Sequence, residues 1–125
     1  MTAAPFDLSQ TDKLLTTTRS VRKRLDLDAP VDLDEIQECI GIACQAPTGG
    51  NIQDWRWVVV TDADKRAGLA ELYNRASTPY FAANRKAMVD RGATGPNSIL
   101  DSAEYLATVL HEVPVHIVPC IFGRP

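Results

Sequence analysis

A chain of 125 residues, 45% hydrophobic and 23% charged, has room for one small domain with a core and the balance of an ordinary globular protein. Its formal net charge of −3 argues against a nucleic-acid partner, which calls for a basic stripe. No apolar run approaches the roughly 20 residues of a membrane span, and residues 1–10 lack a basic start followed by an apolar stretch, so the expected setting is cytoplasmic, with no membrane partner.

In chain order, residues 1–10 read as a loose lead-in and residues 10–18 as a short helix. Asp32 then sets up a helix start, with Glu35 three residues on in a near capping-box pattern. Ile36, Ile40, Ala43 and Cys44 follow at helical spacing, and Pro47 with Gly49 and Gly50 ends the run. Residues 55–60, Trp-Arg-Trp-Val-Val-Val, predict a buried strand with at least one tryptophan in the core. Thr61 or Asp62 caps a helix to about Tyr73, and residues 74–95 read as polar and irregular, with a helical piece near residues 82–89. Asn97 or Ser98 caps a further helix to about His111, with Ile99, Ala103, Leu106 and Leu110 on one face. Pro114 breaks it, residues 115–121 form a second strand, and a Gly-Arg-Pro tail closes the chain. Two strands so far apart pair through a long helical crossover, which suits a mixed α/β layer. The end of the chain soon after an apolar strand suggests an architecture that continues past Pro125.

Cys39, Cys44 and Cys120 are odd in number and include no C-x-x-C pair, which fits reduced thiols better than a disulfide framework or a zinc site. Cys39 and Cys44 read as small apolar packing residues. His111 and His116 read as structural, so no metal is expected.

Two clusters carry chemistry. In the first, Arg19, Arg22, Lys23 and Arg24 fall within six positions, with Ser20 and Val21 between them. Guanidinium forks grip phosphate oxygens bidentately, and a serine hydroxyl or backbone N–H adds a contact; a run like this also serves as a plain solvated face. The second runs Pro47-Thr48-Gly49-Gly50-Asn51-Ile52-Gln53-Asp54-Trp55 into the strand. Its glycines let backbone approach a ligand, and Thr48, Asn51 and Gln53 offer polar groups beside an apolar strand; the plain alternative is a polar loop that ends a helix.

Together the clusters resemble the nitroreductase family, whose members carry an Arg-Ser-x-Arg clamp, a helix, and a Pro-[Ser/Thr]-x-x-Asn-x-Gln-Pro-Trp loop leading into a strand. Residues 111–120 look like that family's second core strand. The resemblance implies an α+β fold of three layers, with helices flanking a mixed sheet, and a homodimer holding FMN between subunits. It implies that Arg19, Ser20, Val21 and Arg22 hold the FMN phosphate and ribityl chain, while Pro47, Thr48, Gly49 and Asn51 face the flavin held mainly by the other subunit. NAD(P)H would be the electron donor, and a nitroaromatic or quinone the small-molecule acceptor, with no catalytic side chain required. Tyr80, Phe81 and Asn84 fall near the family's flavin cavity without a secure alignment, and Arg85 and Lys86 read as solvated in preference to helpers of the clamp.

Three departures from the family pattern stand out. Thr18 replaces a common basic residue, Asp54 replaces the proline before the tryptophan, and residues 1–125 read as a single partial domain without the family's C-terminal half. The alternative is an inactive truncated remnant, or a half-domain that depends on a partner.

Overall fold

The structure is a computed structural model of the chain and describes residues 6–93 and 95–123. Its order is α1 (Leu8–Thr17), α2 (Leu33–Ala43), a 3-10 turn (Gly49–Asn51), β1 (Trp55–Val60), α3 (Ala63–Asp90), α4 (Ser98–Val109), a 3-10 turn (Leu110–Glu112) and β2 (His116–Ile121).

Helix α1 begins inside the expected lead-in. The Asp7 carboxylate accepts the backbone N–H groups of Ser9 and Gln10, which fixes the first turn at Leu8. Residues 1–5 of that lead-in lie outside the described residues, as do Arg124 and Pro125 of the tail. Helix α2 starts where Asp32 predicts, its carboxylate accepting the Asp34 N–H at 2.9 Å. It ends at Ala43 with Cys44 as its cap, before the proline and glycines are reached. Ile36, Ile40 and Cys44 are half-buried, whereas Ala43 and Cys39 are exposed, so Cys39 is not a packing residue here.

The largest departure from expectation is α3. Residues 74–90 continue the helix begun at Ala63, giving one element of 28 residues with Pro79 inside it. An internal proline costs about 3 kcal/mol in an isolated helix. Here burial of Ala70 and Phe81 on one face and the helix-favouring Ala76, Ala82, Ala83 and Ala87 offset it, while Ser77 is buried with its hydroxyl unpartnered among the described residues. Phe81 packs on α4, which is capped by Asn97, whose Oδ1 accepts the N–H groups of Ile99 and Leu100 at 3.0 Å each. The buried face of α4 is rotated by one residue from expectation. Leu100 and Ala107 pack with Phe81, supported by Ala103 and Met88, while Ile99 is 74% exposed.

The strands pair antiparallel, in a register running from Trp55 opposite Ile121 to Val60 opposite His116. The α+β class holds: the described residues form four helices and a two-stranded sheet, consistent with a partial domain, and the strand pairing is antiparallel rather than mixed. The reason is parity: one crossover helix returns the chain to start a parallel strand, but α3 and α4 run antiparallel, so β2 enters from the opposite end. Arg66 staples the turn before β2 to α3, its guanidinium donating to the carbonyls of His111 at 3.0 Å and Val113 at 2.7 Å. Trp55 and Trp57 are both half-buried, and the Trp57 indole N–H is buried without a partner among the described residues.

Candidate functional site

The basic cluster begins where α1 stops. Thr16, Thr17 and Thr18 turn their hydroxyls back onto the carbonyls of Asp12, Lys13 and Leu14. Arg19 completes this cap, donating to the carbonyls of Thr16 at 2.9 Å and Thr18 at 2.7 Å. A cation is favoured at the negative end of a helix dipole, so Arg19 rests on its own helix. Ser20 and Val21 are exposed.

Arg22 differs. It is half-buried and lines a cavity of about 420 Å³ with Tyr73, Tyr80 and Asn84 of α3 and Ile99 and Leu100 of α4. Among the described residues its guanidinium makes no hydrogen bond or ion pair. Tyr80, Phe81 and Asn84, which the sequence leaves unaligned, therefore line the same cavity as Arg22 of the basic cluster. Tyr80 is 64% exposed at the rim, Phe81 is 8% exposed, and the Asn84 side-chain amide donates to the Tyr80 carbonyl at 2.8 Å, leaving its oxygen to accept. Sequence reasoning missed Tyr73, Met88 and Asn97 on this cavity. Tyr73, Tyr80 and Asn84 share one face of a continuous helix, a signal hidden while residues 74–95 are taken as irregular.

The loop after α2 forms a separate surface. Thr48 precedes the 3-10 turn and is half-buried, with its hydroxyl oxygen accepting the Gln53 N–H at 3.3 Å. Pro47, Gly49 and Asn51 are exposed. Gly50, Asn51 and Gln53 have φ of 60°, 55° and 50°. Asparagine tolerates the left-handed region, whereas glutamine adopts it at some cost. Gln53 is held there by donating its side-chain amide to the Asn51 Oδ1 at 2.5 Å. A side chain built on Gly49 would meet nothing within 4 Å, so that face of the loop is open to a ligand. Pro47, Thr48, Gly49 and Asn51 do not line the Arg22 cavity, so a single chain does not bring the two clusters together.

Asp54 has a direct bearing on this loop. A proline disfavours helical and left-handed backbone in the residue before it. An Asp54→Pro chain is therefore expected to drive Gln53 into extended conformation and release it from Asn51. The amide and carbon chemical shifts of Gln53 would report the change, and unaltered shifts would refute it.

Lys86 is exposed as expected, whereas Arg85 is not simply solvated. Lys86 pairs with Asp90 on its own helix at 2.7 Å. Arg85 reaches across to α4, donating Nε–H to Glu104 at 2.8 Å and Nη2–H to Asp101 at 2.7 Å and to the second Glu104 oxygen. The Arg85 hydrogen bonds hold the Glu104 carboxyl below its usual range, and Glu104 with Asp101 raises the guanidinium in turn. A carboxylate depressed on folding stabilises the fold above its unfolded pKa, about 4.3, and that contribution disappears as pH falls through the lower folded value. The melting temperature of a Glu104→Gln chain is thus expected to lie below wild type at pH 7, with the gap closing as the medium is acidified below about pH 4. A gap independent of pH would contradict this.

The His116 ring lies 2.8 Å from the Leu110 carbonyl, and the described residues include no group of His, Cys, Asp or Glu able to hold a metal ion. No described helix is long and apolar enough to cross a membrane.

The model of the Nitroreductase family matches residues 15–122, which takes in the basic cluster, the loop, both strands and the helix pair. The chain belongs to the nitroreductase family. Neither curated proteins nor solved structures provide a match to it. Membership in the nitroreductase family supports an oxidoreductase function, and family members typically use flavin cofactors.

Proposed function

We propose that this chain is an FMN-dependent oxidoreductase that takes electrons from NAD(P)H and passes them to a small acceptor such as a nitroaromatic or quinone. The observation that carries the reading is Arg22, a half-buried residue whose guanidinium has no partner among the described residues, in a cavity with aromatic walls. Burying part of a cation without a counter-charge is unfavourable, and an anionic ligand offsets that cost. The cavity, about 420 Å³, falls in the range used for small molecules and cofactors.

The residues present fit FMN in part. Arg22 would hold the phosphate or another electron-rich edge, and the Asn84 oxygen would accept from a ring N–H. Tyr73 and Tyr80 would exclude water. Ser20 lies two residues away with an exposed hydroxyl, and Arg19 would leave its helix carbonyls to add a second fork. When bound, FMN supplies the hydride chemistry, which asks no side chain of this protein to act as nucleophile. The separation of residues 47–51 from the Arg22 cavity supports a homodimer in which that loop, open at Gly49, covers the cofactor of the other copy.

Titration of the chain with FMN, read by flavin fluorescence and gel filtration, tests this. Saturable uptake with a dimer-sized peak is expected; a monomer that takes up no flavin would overturn it. A second reading, a non-catalytic chain that folds against a partner, is favoured by α1 and α2, which bury no residue and leave Leu14, Leu15 and Ile42 at least 66% exposed. It predicts gel filtration as an aggregate with no response to FMN.

A further inference from the structure

Helices α3 and α4 are tied at three levels. At one end the Asn74 amide donates to the Ala107 carbonyl at 3.0 Å, and at the other the Asn97 amide reaches the Met88 sulfur at 3.0 Å. Both are single contacts made by a neutral donor. Between them, one guanidinium on α3 holds two carboxylates on α4. Each member of that ion cluster is the chain neighbour of a residue on the wall of the Arg22 cavity: Arg85 follows Asn84, Asp101 follows Leu100, and Glu104 follows Ala103. In a helix, neighbouring residues cannot move independently, so the cluster sets both the separation and the rotation of the two walls.

We propose that Arg85 is a positioning residue: by gripping Asp101 and Glu104 it fixes the width of the cavity that Arg22 lines. Two further observations support the assignment. A second void of about 370 Å³, lined by Arg85 and Glu104 themselves, lies between the same helices, and Phe81 borders both voids. Space to slide is thus already present on the far side of Phe81. Asp101 and Glu104, three residues apart on one helix, also repel each other once the guanidinium is gone. Lys86 is engaged with Asp90 and does not substitute for it.

The proposal rests on the cofactor reading only for the ligand used as probe; the helix spacing is independent of it. The experiment places spin labels at Ala83→Cys and Thr108→Cys, both exposed, in a full chain whose own cysteines are serine. It compares wild type, Arg85→Met, Arg85→Lys and Arg66→Met, the last cutting a staple of α3 remote from the cavity. In Arg85→Met the distance distribution should broaden, and FMN affinity, read by fluorescence quenching, should fall at least about tenfold, since misplacement near 1 Å costs that much or more at a preorganised site. Arg85→Lys should recover most of both, and Arg66→Met should lower the melting temperature without either effect. An unchanged distribution in Arg85→Met would overturn the proposal, as would an Arg66→Met chain that broadens and weakens FMN to the same degree. Broadening in a chain whose parent binds no FMN would retain the positioning role and remove the cofactor reading alone.

Discussion

A Phe81→Ala chain is expected to be less stable by about 3–5 kcal/mol, the largest loss available to a single side-chain truncation in this structure. Phe81 is the only aromatic side chain among the described buried residues, and it packs with Leu100 and Ala107 where α3 meets α4. Its ring also stands edge-on to Tyr80, with centroids 5.9 Å apart. Two terms add on truncation. One is the lost transfer free energy of the ring. The other is the hole left behind, and here that hole would join the two voids flanking the ring into one channel, which limits how far the site can collapse. For a core this sparse, such a loss approaches the whole stability of an ordinary small domain. Urea unfolding followed by circular dichroism measures it. A cost below about 1 kcal/mol would mean that the helix pair is held by its polar ties and that Phe81 is dispensable.

The second large effect is on binding. Arg22→Ala is expected to weaken FMN by roughly tenfold to a hundredfold, the equivalent of losing hydrogen bonds to a charged partner. Its effect on folding should be small, because the guanidinium has no partner among the described residues to leave unsatisfied. Arg22→Lys should recover only part of the affinity, since an ammonium keeps the charge and loses the fork. Arg19→Ala is the informative comparison. Arg19 must break its bonds to the Thr16 and Thr18 carbonyls before it can grip a ligand, so its net contribution should be the smaller. Fluorescence titration of the three chains with FMN reads the order directly. Equal effects at the two arginines would show that the inward position of Arg22 confers nothing.

Much of this arrangement was legible in the sequence. The strand at residues 55–60, the caps Asp32, Asp62 and Asn97, and the second strand to within one residue all follow from local chemistry that the structure reproduces. Family membership too was legible, in the Arg-Ser-x-Arg and Pro-Thr-x-x-Asn-x-Gln patterns. What was not legible depends on tertiary contact. Polar residues and Pro79 argue locally against a helix through residues 74–90, and only the packing of Phe81 on Leu100 and Ala107 of α4 shows why one persists. Once that helix was missed, the alignment of Tyr73, Tyr80 and Asn84 was missed with it. The role of Arg85 was hidden for a related reason: its partners lie on the next helix, and nothing in the spacing of a charged run announces a partner sixteen and nineteen residues away. Arg19 and Arg22 look alike in sequence, and only the fold separates the one resting on α1 from the one facing the cavity.

The placement of the aromatic residues has a spectroscopic consequence. Both tryptophans, Trp55 and Trp57, lie on β1, while all three tyrosines, Tyr73, Tyr80 and Tyr105, lie on α3 and α4. The chain thus carries separate chromophores on its ribbon and its helix pair. Tryptophan emission reports on the strands, and tyrosine absorbance on the helix pair, where Tyr73 and Tyr80 line the Arg22 cavity and Tyr105 does not. The two signals together distinguish a change confined to the helix pair from one that also reaches the strands, without any label being added.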